Sequence, residues 1–130
     1  MASFKIKGGK KLAGEITPQG AKNEALQVLS AVLLSSEKIT ICNIPDIVDV
    51  NKLIEILGDL GVKIDNLGKG SFNFQADEIN LEHLYSEDFR EKGGRLRGSI
   101  MIVGPLLARF GRAAIPRPGG DKIGRRRLDT

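Results

Sequence analysis

The sequence predicts an α/β (α+β) chain built from a repeated unit, on three observations. Segments with helical spacing of apolar residues alternate with short β-branched segments, an order that favours helices layered on a sheet. Two stretches 73 residues apart, 33–45 and 106–118, share one pattern of helix end, charged turn, short strand and proline. The composition is that of a globular protein, 41% apolar and 28% charged over 130 residues. No apolar run approaches the ~18 residues that span a bilayer.

The elements follow in chain order. Residues 4–7 alternate apolar and charged side chains, Gly8-Gly9 turns, and residues 12–17 form a second short strand. After Pro18-Gln19-Gly20, the spacing of Ala25, Leu26, Leu29, Val32 and Leu33 predicts a buried helix over 21–35. Lys22 and Asn23 fall in its first turn, where free N–H groups and the helix dipole favour an anion. Residues 38–43 form a strand ended by Pro45, with Cys42 as a small core residue inside it. Asp46 or Asp49 caps a helix that buries Val50, Leu53, Ile54, Leu57 and Leu60 and stops at Gly61. A hairpin turns at Gly68-Lys69-Gly70, between strands at 62–65 and 71–76. A further helix spans 95–110, kinked at Gly104-Pro105. The first repeat then covers about 21–89, and the second, about 90–130, stops where a helix N-cap at Asp129 is expected. The chain therefore reads as a fragment of a longer protein.

A lone cysteine makes no internal disulfide, and no apolar stretch follows the N-terminal lysines as a secretory signal would require, which points to a reducing, cytoplasmic setting. His83 stands without a sequence neighbour for metal or triad chemistry, so a surface or structural role is expected. Charge is uneven. Nine cationic and thirteen acidic side chains precede Arg90, a net −4, while eleven and three occupy 90–130, a net +8. An anionic partner would be drawn to the last third.

That last third contains Pro118-Gly119-Gly120-Asp121-Lys122-Ile123-Gly124-Arg125-Arg126-Arg127. A solvated basic tail, a nucleic-acid patch and an anion-binding turn all fit a basic run. The glycine punctuation and the apolar Ile123 and Leu128 disfavour the tail, and no aromatic follows Phe110 to stack on bases. Adjacent glycines let backbone N–H groups approach a phosphate, and arginines add bidentate contacts. The segment has neither the Gly-Lys-Ser/Thr end of a Walker A loop nor dinucleotide-fingerprint spacing.

Four stretches together, Gly20-Ala21-Lys22-Asn23-Glu24-Ala25-Leu26, Arg97-Gly98-Ser99-Ile100, residues 104–111 and residues 118–124, resemble the enolpyruvyl transferases, and among them the UDP-N-acetylglucosamine 1-carboxyvinyltransferases. The sister enolpyruvyl-shikimate-phosphate synthases usually show Ser-Lys-Ser where this chain has Ala21-Lys22-Asn23. The resemblance implies part of an inside-out α/β barrel of βαβαββ-type units, truncated within the second unit. It implies that residues 1–20 pack with an absent C-terminal globule and that 21–130 belong to the other globule. It implies transfer of enolpyruvyl from phosphoenolpyruvate to the 3′-hydroxyl of UDP-N-acetylglucosamine, with no metal or organic cofactor, no nucleic acid and no membrane. The rest of the enzyme chain would complete the fold, and the 130-residue piece alone would be inactive.

By the same resemblance Lys22 and Asn23 contact phosphoenolpyruvate, and Arg97, Arg126, Arg127, Leu128, Asp129 and Thr130 hold the UDP-sugar. Asp121 stands at the proton-donor position, where most members carry cysteine. To donate near neutral pH, its carboxyl must rise far above the ordinary carboxylate range, against the pull of nearby cations. Fosfomycin alkylates the cysteine enzymes at the thiolate, and a carboxylate is a poorer nucleophile, so resistance is expected.

Overall fold

The computed structural model describes residues 3–117 and Gly119. Within them the chain forms α1 (Lys22–Ala31), β1 (Lys38–Ile41), α2 (Val48–Asp59), β2 (Lys63–Gly68), β3 (Ser71–Gln75), α3 (Glu87–Arg95) and α4 (Val103–Phe110). Short 3₁₀ turns occupy Val32–Leu34, Leu81–Tyr85 and Arg97–Ile102. The expectations for Asp121, Arg126, Arg127, Leu128, Asp129 and Thr130 lie outside the described residues.

The sheet is antiparallel, ordered β1-β3-β2, so the hairpin's second strand is central. Its register sets Phe74 opposite Ile39 on one side and Ile64 on the other. Period-two alternation turns all three to one face, where Phe74 is fully buried in a core with Leu29, Leu33, Leu53 and Leu57 of the helical layer. Lys69 and Gly70 both take positive φ, 51° and 72°, which suits a two-residue hairpin turn. The expected mixed α/β layering is therefore present.

Helix α2 ends as the sequence indicates. Gly61 adopts φ 101°, its N–H donates to the Gly58 carbonyl at 2.9 Å, and Val62 N–H donates to the Leu57 carbonyl at 3.0 Å. These paired bonds satisfy carbonyls that the helix end would leave open. The buried stripe includes Ile56, while Ile54 is half-buried.

Several expectations need correction. Residues 3–20 form no strand, and Phe4, Ile6, Leu12 and Ile16 are 91–93% exposed, because no sheet edge pairs with them among the described residues. Cys42 is exposed: Ile39 and Ile41 take the inward positions of β1, and alternation turns the thiol outward. Neither aspartate caps α2. Its N-cap is Ile47, Asp46 Oδ1 accepts from Asn51 Nδ2 at 2.8 Å, and Asp49 lies inside the first turn.

The single kinked helix over 95–110 is three pieces. Extended Leu96 (φ −119°, ψ 112°) separates α3 from the 3₁₀ turn Arg97–Ile102, and α4 starts only at Val103. Pro105 is thus in a first turn, where its missing N–H costs no hydrogen bond, and it needs no kink. Residues 112–117 form no strand, although Ala113, Ala114 and Ile115 pack on the core. Helix α3 was not expected at all. Ser86 Oγ caps it by accepting from Phe89 N–H at 3.1 Å, with Glu87 and Asp88 at its positive end and Lys92 and Arg95 at its negative end.

Candidate active-site face

The start of α1 is built by close backbone approach. Gly20 lies so near Asn43 that a β-carbon there would collide with the Asn43 carbonyl oxygen and press on Pro45. Asn43 itself takes positive φ, 58°. This contact fixes where α1 begins, so Lys22 and Asn23 are its first two residues, both exposed. Ala21 offers no side-chain cap, which leaves first-turn N–H groups available to an incoming anion. A groove of about 220 Å³ at the start of α1 is lined by Gly20, Ala21, Glu24, Cys42 and Asn43, and not by Lys22 or Asn23.

Lys22 Nζ lies 2.9 Å from Asp49 Oδ2, so the first turns of α1 and α2 are joined by an ion pair. One helical turn beyond Lys22, Leu26 packs on Gly98, where a β-carbon would come within 3.0 Å of Leu26 Cδ1. Arg97, the residue before this contact, is half-buried at the start of its 3₁₀ turn beside α1. Buried Ser99 holds that turn, with Oγ 2.7 Å from the Leu96 carbonyl and 2.9 Å from the Gly93 carbonyl. The approach to the Gly-rich segment uses the same helix end. Pro116 seats on Gly93, and a β-carbon at Gly119 would collide with the Gly94 carbonyl. Arg97 and the entry to the basic strip thus share the C-terminal end of α3.

Elsewhere, Asp59, His83 and Asp88 bring ligand atoms within 4.8 Å of one another. Lys92 Nζ occupies this cluster, 2.6 Å from Asp59, 3.0 Å from Glu55 and 3.1 Å from Asp88. Hydrogen bonds to those three carboxylates, Asp59 foremost, raise the Lys92 pKa well above the ordinary lysine range. A dication would have to displace that ammonium, so the cluster serves to tie α2 to α3. His83 packs as a structural residue: its ring lies edge-on against Phe89, with Nε2 3.5 Å from Asp88 Oδ2.

Comparison with known proteins then decides the family. Residues 6–130 match the family model for EPSP synthase (3-phosphoshikimate 1-carboxyvinyltransferase). The chain belongs to the EPSP synthase family. Within that family it is similar over its whole length to proteins named UDP-N-acetylglucosamine 1-carboxyvinyltransferase. The relative from Bacteroides fragilis is 56% identical over 130 residues, that from Porphyromonas gingivalis 57%, and that from Treponema denticola 42%. Each alignment covers all of this chain and 30% of the relative, so the chain spans about 30% of the length of the curated relatives it matches.

Of the site residues expected from sequence, the structure sets Lys22 and Asn23 together at the head of α1 and Arg97 on the turn packed beside that helix. Sequence reading missed Asp49 as a partner of Lys22, and it missed Gly93, Gly94 and Gly98 as seats for other segments of this enolpyruvyl-transferase family chain. The pair of glycines at 93–94 was the available signal. Gly20→Ala should displace the start of α1 and destabilise the fold by about 1–3 kcal/mol, the usual range for overpacking. Thermal unfolding checks this, and an unchanged midpoint would count against the contact.

Proposed function

We propose that this chain is part of an enolpyruvyl transferase that moves the enolpyruvyl group of phosphoenolpyruvate to the 3′-hydroxyl of UDP-N-acetylglucosamine, the first committed step of peptidoglycan synthesis in the cytoplasm. The supporting observation is whole-chain identity of 55–57% to relatives that carry the UDP-sugar name. In the addition step the 3′-oxygen bonds to C2 of phosphoenolpyruvate, its proton passes to a base, and C3 gains a proton. Elimination then breaks the C2–O bond to phosphate and removes a proton from C3, which restores the alkene.

In this reading Lys22 and Asn23, with the open N–H groups of α1, hold phosphoenolpyruvate. Arg97 faces the substrates, and Arg126, Arg127, Leu128, Asp129 and Thr130 hold the UDP-sugar. Asp121 donates the proton to C3. Donation near neutral pH requires a protonated carboxyl, which bound phosphate and carboxylate groups would favour by neutralising cations. Residues 1–20, with their exposed Phe4, Ile6, Leu12 and Ile16, pack against a further globule, while residues 21–130 form one and a half repeats of the globule that carries these groups.

The reading is tested by calorimetric titration of the full-length parent. UDP-N-acetylglucosamine should bind while a short oligonucleotide at moderate salt does not, and the reverse pattern would overturn it. In the same preparation fosfomycin should leave no mass adduct at Asp121, and Asp121→Asn should lose most of the rate. The 130-residue chain alone should not turn over.

A further inference from the structure

We infer that Asp49 is a positioning residue for Lys22, a role that rests on the reading of Lys22 given above. The first observation is what Asp49 does not do. It lies in the first turn of α2, a common place for an acid to serve its own helix end, yet α2 has no side-chain cap. Its carboxylate instead meets the ammonium of a residue 27 positions earlier, on a different helix. The neighbouring acid, Asp46, is already engaged by Asn51.

The second observation is where the pair sits. Both side chains are about two-fifths exposed, 43% for Lys22 and 39% for Asp49, so the pair is screened and adds little to folding. It nevertheless joins the two helix starts next to the open N–H groups of α1. A lysine stem carries several freely rotating bonds, and its ammonium has no fixed direction of its own. Asp49 supplies that direction, holding the charge at the head of α1 before an anion arrives.

Two consequences oppose each other when Asp49 loses its charge. Lys22 becomes free to move, which misplaces it in the transition state. An anion entering the site no longer meets a nearby carboxylate, which favours ground-state binding. The loss should therefore appear in kcat and not in KM.

The experiment compares the full-length parent with Asp49→Asn, a near-isosteric change, and Asp49→Glu, which keeps the charge. Asp49→Asn should lower kcat by about tenfold or more, with KM for phosphoenolpyruvate unchanged or lower and the thermal midpoint within about 2 °C of the parent. Asp49→Glu should recover part of that decrease in kcat. If kcat for Asp49→Asn stays within about twofold of the parent, or falls only in step with a lowered midpoint, the positioning role is wrong. A parent that does not turn over phosphoenolpyruvate at all would instead refute the proposed function, and this inference with it.

Discussion

Replacing Lys22 by methionine in the full-length parent is expected to lower kcat/KM for phosphoenolpyruvate by about a hundredfold, the effect of removing one charge-assisted hydrogen bond of roughly 1.5–3 kcal/mol. Methionine keeps most of the stem and removes the charge. The change leaves folding nearly untouched, because among the described residues the Lys22 ammonium makes a partly exposed ion pair with Asp49. It also leaves the Asp49 carboxylate unpaired beside the anion site, which weakens affinity further. Steady-state kinetics with varied phosphoenolpyruvate, alongside a thermal scan, separate the two effects. A variant of normal stability with unchanged kcat/KM would show that the head of α1 does not touch the substrate.

The second large effect is on folding. Phe74 is fully buried in the central strand, flanked by Ile39 and Ile64, and it joins the sheet to the helices that carry Lys22 and Asp49. Phe74→Ala should cost about 3–5 kcal/mol through reduced burial and the cavity left behind. That is a large part of the stability of a typical domain. The control is Leu67→Ala on the edge strand β2, where the side chain is mostly exposed. It should move stability by no more than about 0.5 kcal/mol. Equal shifts for the two variants would contradict the assignment of the core.

These contrasts show what was readable from the chain. Helix α2 was legible because its apolar stripe and Gly61 stop are local signals, and the hairpin because Gly68 and Gly70 punctuate its turn, where they take φ 82° and 72°. Lys22 and Asn23 were legible as first-turn residues because Pro18-Gln19-Gly20 breaks the chain just before them. Helix α3 was hidden because Gly93-Gly94 has poor helix propensity and its mean hydropathy is low. The strand-like residues 4–7 and 12–17 kept their pattern but found no pairing edge among the described residues, and pairing is not local. The same holds for Asp49. Nothing within a few residues of it points to Lys22, so only the packing of α1 on α2 could reveal the ion pair.

The three-carbonyl contact of Arg109 belongs to this non-local class. Its Nη1 lies 3.1 Å from the carbonyls of Leu33 and Ser35 and 2.7 Å from that of Ala76, tying α4 to the end of the first helical segment and to the sheet. Its place in the family-like stretch 104–111 therefore has a structural explanation that needs no substrate.

The most direct test of the central claim is phosphate release from phosphoenolpyruvate by the full-length parent with two alternative acceptors. Release with UDP-N-acetylglucosamine and none with shikimate 3-phosphate is the predicted result. Release with shikimate 3-phosphate alone, or with neither acceptor, would contradict it.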